Sequence, residues 1–262
     1  MNSRKALKIS AAVFFTCALW ISTSFAHDLA TLEAAENVEF LSQKIAKAYF
    51  YKQQEIRPHR AAEDLQKSLV LLQKDLSILQ EGIEKGEGDK GEKNITVFLE
   101  YTYDELKNTL DKPYSRGNGA LIIDYSESLL EGAEFIAQQH VHKTNPEQEM
   151  LVTVEQMLFL LERINKLYIA YQAEFKDYNN VSQLKQAVQN FDAALSTVNN
   201  YRKYSDSAQK SRDRLNEFWP VAKEFLVDIE RAALPVLILE SVEKLEKELT
   251  DLEEFHHQAA SK

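Results

Sequence analysis

The best candidates for ligand chemistry in this chain lie together in the string Phe40-Leu41-Ser42-Gln43-Lys44-Ile45-Ala46-Lys47-Ala48-Tyr49. Ser42, Gln43, Lys44 and Tyr49 are the candidate ligand-binding residues, the first three because the corresponding positions of a second, similar segment carry Leu161, Glu162 and Arg163, and ligand-specific residues should differ between copies. Ser42 adjoins an apolar stripe, where a small polar side chain either makes room for a ligand or bonds its own helix backbone. Tyr49, Tyr51, Tyr101 and Tyr103 form a local concentration of tyrosines. Aromatic cages bind small cations, but aromatics at helical spacing ordinarily fill a core.

Other reactive groups are spaced poorly for chemistry. His140-x-His142 and His256-His257 do not face one another on a helix. His27, once N-terminal, could chelate a metal through its amine and imidazole only with a second histidine folded against it. Met150 and Met157 are the only methionines past the first residue, so a b-type haem ligand would have to come from them or from a histidine. There is no Gly-rich phosphate loop, Gly-x-Ser-x-Gly, Glu-x-x-His pair or pair of acids in apolar context. No catalytic residue, metal site or cofactor is expected, and dispersed Glu and Asp on helices read as solvated faces.

These residues must be positioned by helices. Leu, Glu, Lys, Gln and Ala abound, with only 7 Gly and 5 Pro in 262 residues, a composition suited to long helices. The chain also repeats itself. At an offset of 119 residues, Phe40/Phe159, Leu41/Leu160, Ile45/Ile164, Lys47/Lys166, Tyr49/Tyr168, Gln53/Gln172 and Glu55/Glu174 coincide. The register slips where turns are expected, then resumes at Leu99/Leu215, Tyr103/Trp219 and Lys107/Lys223, and again at Ser126/Ser241, Leu130/Leu245 and Glu131/Glu246. Positions identical in both copies are most simply structural. Tyr103 and Trp219 should be equivalent core fillers with partnered polar tips. Lys47, Lys166, Lys107 and Lys223 should snorkel or meet acids at the bundle surface.

The apolar periodicity predicts helices over about 28–55, then from 58, a mobile Gly- and charge-rich loop over 82–93, and two further helices before residue 143. Thr144-Asn145-Pro146-Glu147 is a strong helix start and the seam between the copies. The second copy should place helices up to about 176, over 181–201, up to 229 with Pro220 kinking it, and over 235–257. The expectation is an all-α fold of two tandem antiparallel four-helix-bundle-like units, 27–143 and 144–262, forming an elongated rod.

Residues 1–26 read as a cleaved export signal, with Arg4, Lys5 and Lys8 before an apolar run and Ser24-Phe25-Ala26 as the cleavage site. The single cysteine, Cys17, leaves with it, and the formal net charge moves from −10 to −13. Such acidity argues against nucleic acid and anionic membrane surfaces as partners, and is also simply what an acidic, soluble exported protein carries. The expected location is the periplasm.

The segment 40–49 resembles the first-helix signature of PilJ-type sensory domains, the N-terminal domains of type IV pili methyl-accepting chemotaxis transducers. Leu215 to Trp219 matches the family's Leu-x-x-x-Trp, and Ser126/Leu130 and Ser241/Leu245 match its last-helix opening. The resemblance implies helical bundles that sense a small ligand at the first helix, often across a dimer interface. Here the family's Gly-Arg-Gln-Arg aligns with Glu36, Asn37, Val38 and Glu39, so the arginines that would receive nitrate are gone. Lys44 and Lys47 are expected to point to water. The leading expectation is a non-catalytic periplasmic sensor-type protein that binds a small molecule, a membrane receptor or chemotaxis/sensor ectodomain, or a second copy as a homodimer. The alternative is a helical adaptor without a small-molecule ligand.

Overall fold

Long runs of strong helix formers with few breakers fold here into helices throughout. The computed structural model describes residues 6–85, 88–140, 146–230 and 233–260, with side chains from Leu29 onward. The cleavage segment and His27 therefore lie outside the described side chains, and residues 141–145 at the seam lie outside the described residues. Among the described residues there are eight helices and no strand: α1 (Ala6–Gln53), α2 (Pro58–Lys85), α3 (Lys90–Leu110), α4 (Arg116–His140), α5 (Pro146–Gln172), α6 (Tyr178–Asn200), α7 (Asp206–Val227) and α8 (Pro235–Ala260). Also among the described residues, no helix is long and apolar enough to cross a membrane.

Local chemistry sets the helix ends. Helix α1 ends as the N–H groups of Gln54 and Ile56 donate to the carbonyls of Phe50 and Tyr51, with Glu55 in the left-handed region at φ 57°. Helix α5 ends identically 119 residues later: Ala173 and Phe175 donate to Ile169 and Ala170, and Glu174 takes φ 71°. This 6→1 closure satisfies carbonyls that the helix leaves open. Asp89 and Ser205, in the same repeat register, cap α3 and α7. The Asp89–Glu92 capping box carries α3 back to Lys90, while α2 runs on to Lys85. The loop expected over 82–93 is thus much shorter, because Asp-x-x-Glu is itself a helix start.

The first four helices close a ring, α1 to α2 to α3 to α4 and back to α1, and the last four do the same. Tyr103 and Trp219 occupy matching places. The Tyr103 hydroxyl donates to the Leu69 carbonyl and to Gln73, and Trp219 Nε1 donates to Asp192, the repeat counterpart of Gln73.

The units do not meet end to end as a rod. Helices α1 and α5 pack against one another and run in the same direction, with Glu36 beside Glu155 near one end and Tyr51 bonded to Asn165 near the other. The arrangement is flank to flank because each first helix is buried nearly all round. From Leu41 to Tyr51 only Lys44 is partly exposed, and from Leu160 to Ala170 only Arg163, its counterpart. A helix buried on every side belongs between layers, not at the edge of one bundle. At the Tyr51 end the cores merge, since Ile169, Ala170, Ala173, Phe175 and Leu239 join the apolar cluster of the first unit.

Candidate functional site

The site with the densest chemistry is the seam between α1 and α5. Lys47 places its ammonium 2.8 Å from Glu162 Oε1 and 2.6 Å from Oε2, with both side chains buried. Burial favours a neutral lysine, but the carboxylates of Glu162, Glu246 and Asp64 outweigh it and hold Lys47 above the ordinary lysine range. Burial would likewise raise Glu162, yet Lys47 and Lys44 keep it below the usual carboxylate range. Glu246 is then pushed up to about 7, first by burial and then by the charge of Glu162. The Tyr51 hydroxyl donates to Asn165 Oδ1 at 2.6 Å, and burial raises its pKa.

A second cluster faces it across the same seam. Arg163 donates to both oxygens of Glu127, at 3.1 and 2.8 Å, and Lys166 bonds Glu127 and the Ser126 hydroxyl. Burial pulls Lys166 down to about 8, with Arg163 adding repulsion against the pull of Glu127. Glu127 stays low, because Lys166 and Arg163 together overcome its burial. Lys47 and Lys166 thus do meet acids, but inside the molecule instead of at the bundle surface or in water. The reason is that the surface of one unit is the interior of the pair.

The four candidate residues divide. The Ser42 hydroxyl donates to the Glu39 carbonyl at 2.7 Å, bonding its own helix, and accepts from Gln43 Nε2. Gln43, fully buried, also donates to the Ser126 carbonyl and accepts from Arg163. Tyr49 is in the core of the first unit against Phe50 and Tyr114. Among the described residues its hydroxyl has no hydrogen-bond partner, and burial first, then Tyr114, pushes it up to about 12. Tyr51 faces the seam, Tyr101 faces solvent and Tyr103 packs on α2, so the tyrosines form no cage. Lys44 alone lines open space, with its ammonium 4.0 Å from Glu162, 3.9 Å from Glu246 and 5.1 Å from the Phe40 ring centre.

That open space has two parts. A small pocket of about 100 Å³ lies at the α1–α2–α8 junction, lined by Lys44, Lys47, Tyr51, Arg57, Arg60, Asp64, Glu243 and Glu246 among others. Its cations are already matched: Arg57 pairs with Glu240 and Glu243, and Arg60 with Glu243. A cleft of about 1300 Å³ takes in the halves of α1 and α5 away from the merged core, with parts of α4, α6 and α8. Leu32, Phe40, Leu151, Val152, Leu158 and Phe159 give it apolar walls, and Glu33, Glu36, Glu39, Glu134, Glu155 and Glu253 give it acid. The sequence singled out Glu36 and Glu39 only as replacements for arginine, and Glu33, Glu134, Glu155 and Glu253 look there like ordinary solvated faces. The available signal was their recurrence at three-residue spacing, Glu33, Glu36 and Glu39, beside a helix that is apolar on its other sides.

Among the described residues, no group of three or more His, Cys, Asp or Glu is placed to hold a metal ion. Comparison with protein families, curated proteins and solved structures finds no match to the chain.

Proposed function

We propose that the chain is a non-catalytic periplasmic binding protein, exported by its N-terminal signal, whose recognition surface is the cleft between its two units. Its partner is a segment of another protein, such as the ectodomain of a membrane receptor or sensor. The observation that carries this reading is the cleft of about 1300 Å³, bordered by both units and walled by Phe40, Val152 and Phe159. Small-molecule sites usually span about 300–1000 Å³ and close around their ligand. The resemblance of residues 40–49 to PilJ-type sensory domains supports a sensor role, as does the packing of the two copies against one another through their first helices.

A small-ligand reading keeps the pocket at Lys44 in play, since its volume of about 100 Å³ holds a few water-sized groups. Its cations are committed to Glu162, Glu240, Glu243 and Glu246. No surplus positive charge is left for nitrate, which needs charge-assisted donors. The test is photo-crosslinking in living cells with benzoylphenylalanine at Val152, half-exposed in the cleft, or at Val70, exposed on α2. A discrete adduct from position 152 and none from position 70 is expected. No adduct from 152, or the same adducts from both, would reject the cleft as the recognition surface.

A further inference from the structure

We infer that the cleft receives a cationic amphipathic helix of the partner protein, an assignment that rests on the cleft being the recognition surface. The six carboxyl groups Glu33, Glu36, Glu39, Glu134, Glu155 and Glu253 come from α1, α4, α5 and α8, and among the described residues none of them is in an ion pair with Lys or Arg. The cations that reach the cleft are spoken for: Lys44 lies between Glu162 and Glu246, Arg60 pairs with Glu243, Arg163 with Glu127 and Lys247 with Asp251. His257 stands beside Glu253. The unmatched charge is therefore negative, and it surrounds apolar walls. An occupant that complements both must be basic on its flanks and apolar along one stripe.

The shape points to a helix. Among the described residues there is no strand, so no sheet edge can take an extended peptide. A groove between helices takes an amphipathic helix through anchors at i, i+3, i+4 and i+7. A helix about 10 Å across would fill the 1300 Å³ with roughly three turns. A free polyamine would satisfy the acids and leave Phe40, Val152 and Phe159 uncovered.

The crowded acids also make binding depend on pH. Burial, then Glu134 and Glu36, pushes Glu39 up to about 8. Burial, then Glu36, Glu253 and Glu33, pushes Glu155 to about 7. Near neutral pH the cleft is partly protonated, and a cationic helix entering it would expel protons. Affinity should therefore rise from pH 6 to pH 8.

The probe is a fluorescein-labelled synthetic helix of about five turns built from Leu and Lys at helical spacing, titrated by anisotropy at about 50 mM salt. Its Leu–Glu counterpart and spermidine serve as competitors. Saturable binding of the Leu–Lys helix is expected, tighter at pH 8 than at pH 6, with proton release in calorimetry. Glu39→Gln/Glu155→Gln should weaken it by about tenfold, and the exposed pair Glu63→Gln/Glu224→Gln should not. Circular dichroism checks that the variants fold, which loss of crowded charge should favour. Failure of the Leu–Lys helix to bind, equal loss in both variants, or displacement by the Leu–Glu helix or by micromolar spermidine would overturn the assignment. A crosslink at Val152 alongside a failed peptide titration would leave the cleft reading standing and remove only the cationic helix.

Discussion

Lys47 and Glu162 show how one residue difference between the copies organises the seam. Their positions correspond to Lys166 and Gln43, so the ion pair exists on one side and has no mirror image. With both groups buried, removing one partner leaves a charge without compensation. Lys47→Met should cost about 3–5 kcal/mol, whereas Lys47→Met/Glu162→Met should recover most of that loss. Urea unfolding of the two singles and the double checks this, and additive losses would mean the pair is not coupled. Ser42 also settles between two local roles. Its place beside an apolar stripe left open both a ligand and a helix-backbone partner, and it bonds the Glu39 carbonyl.

At the scale of helices, most of the fold was legible. The three-and-four spacing of Leu65, Leu69, Leu72, Leu76 and Leu79 located α2, and Pro146 and Pro235 located the starts of α5 and α8. What could not be read was the contact of α1 with α5. Periodicity separates apolar from polar faces, and a polar face holding Gln43 and Lys47 looks the same whether it meets water or another helix. The legible clue was the run Leu167-Tyr168-Ile169-Ala170, too apolar for an edge helix. Gly119 on α4 lies against Phe175 of the second unit. A Cβ added there would lie 2.7 Å from Cζ of Phe175, whose ring is held edge-on by Phe50 at 5.4 Å. Alanine would gain about 1 kcal/mol of helix propensity, but displacing a rigid ring in a packed core costs about 1–3 kcal/mol. Gly119→Ala should therefore destabilise, and Phe175→Leu should restore it. A Gly119→Ala protein melting at or above the parent temperature would contradict that contact.

For the whole molecule, the acids set the pH response. Glu39, Glu155 and Glu246 carry folded values of about 8, 7 and 7 against an ordinary 4.5. Between pH 4.5 and 8 the folded chain holds more protons than the unfolded one, so stability falls as pH rises. Lys166 works oppositely: its folded value of about 8 is below the ordinary 10.5, so stability recovers above pH 8. Below about 4.5 Glu127 and Glu162, both held low, lose their partners' support. The melting temperature should peak near pH 5 and be lowest near pH 8, with a difference of at least ~3 °C. A flat profile across that range would show that the cleft acids titrate as free carboxyls. Joining both halves in one polypeptide has a further result. In a pair of identical subunits every substitution at position 43 would appear twice, and a glutamate there would face its own copy's surroundings on both flanks. Here position 162 carries glutamate while position 43 keeps glutamine. Covalent fusion thus lets one half of the seam carry a charge that the other lacks.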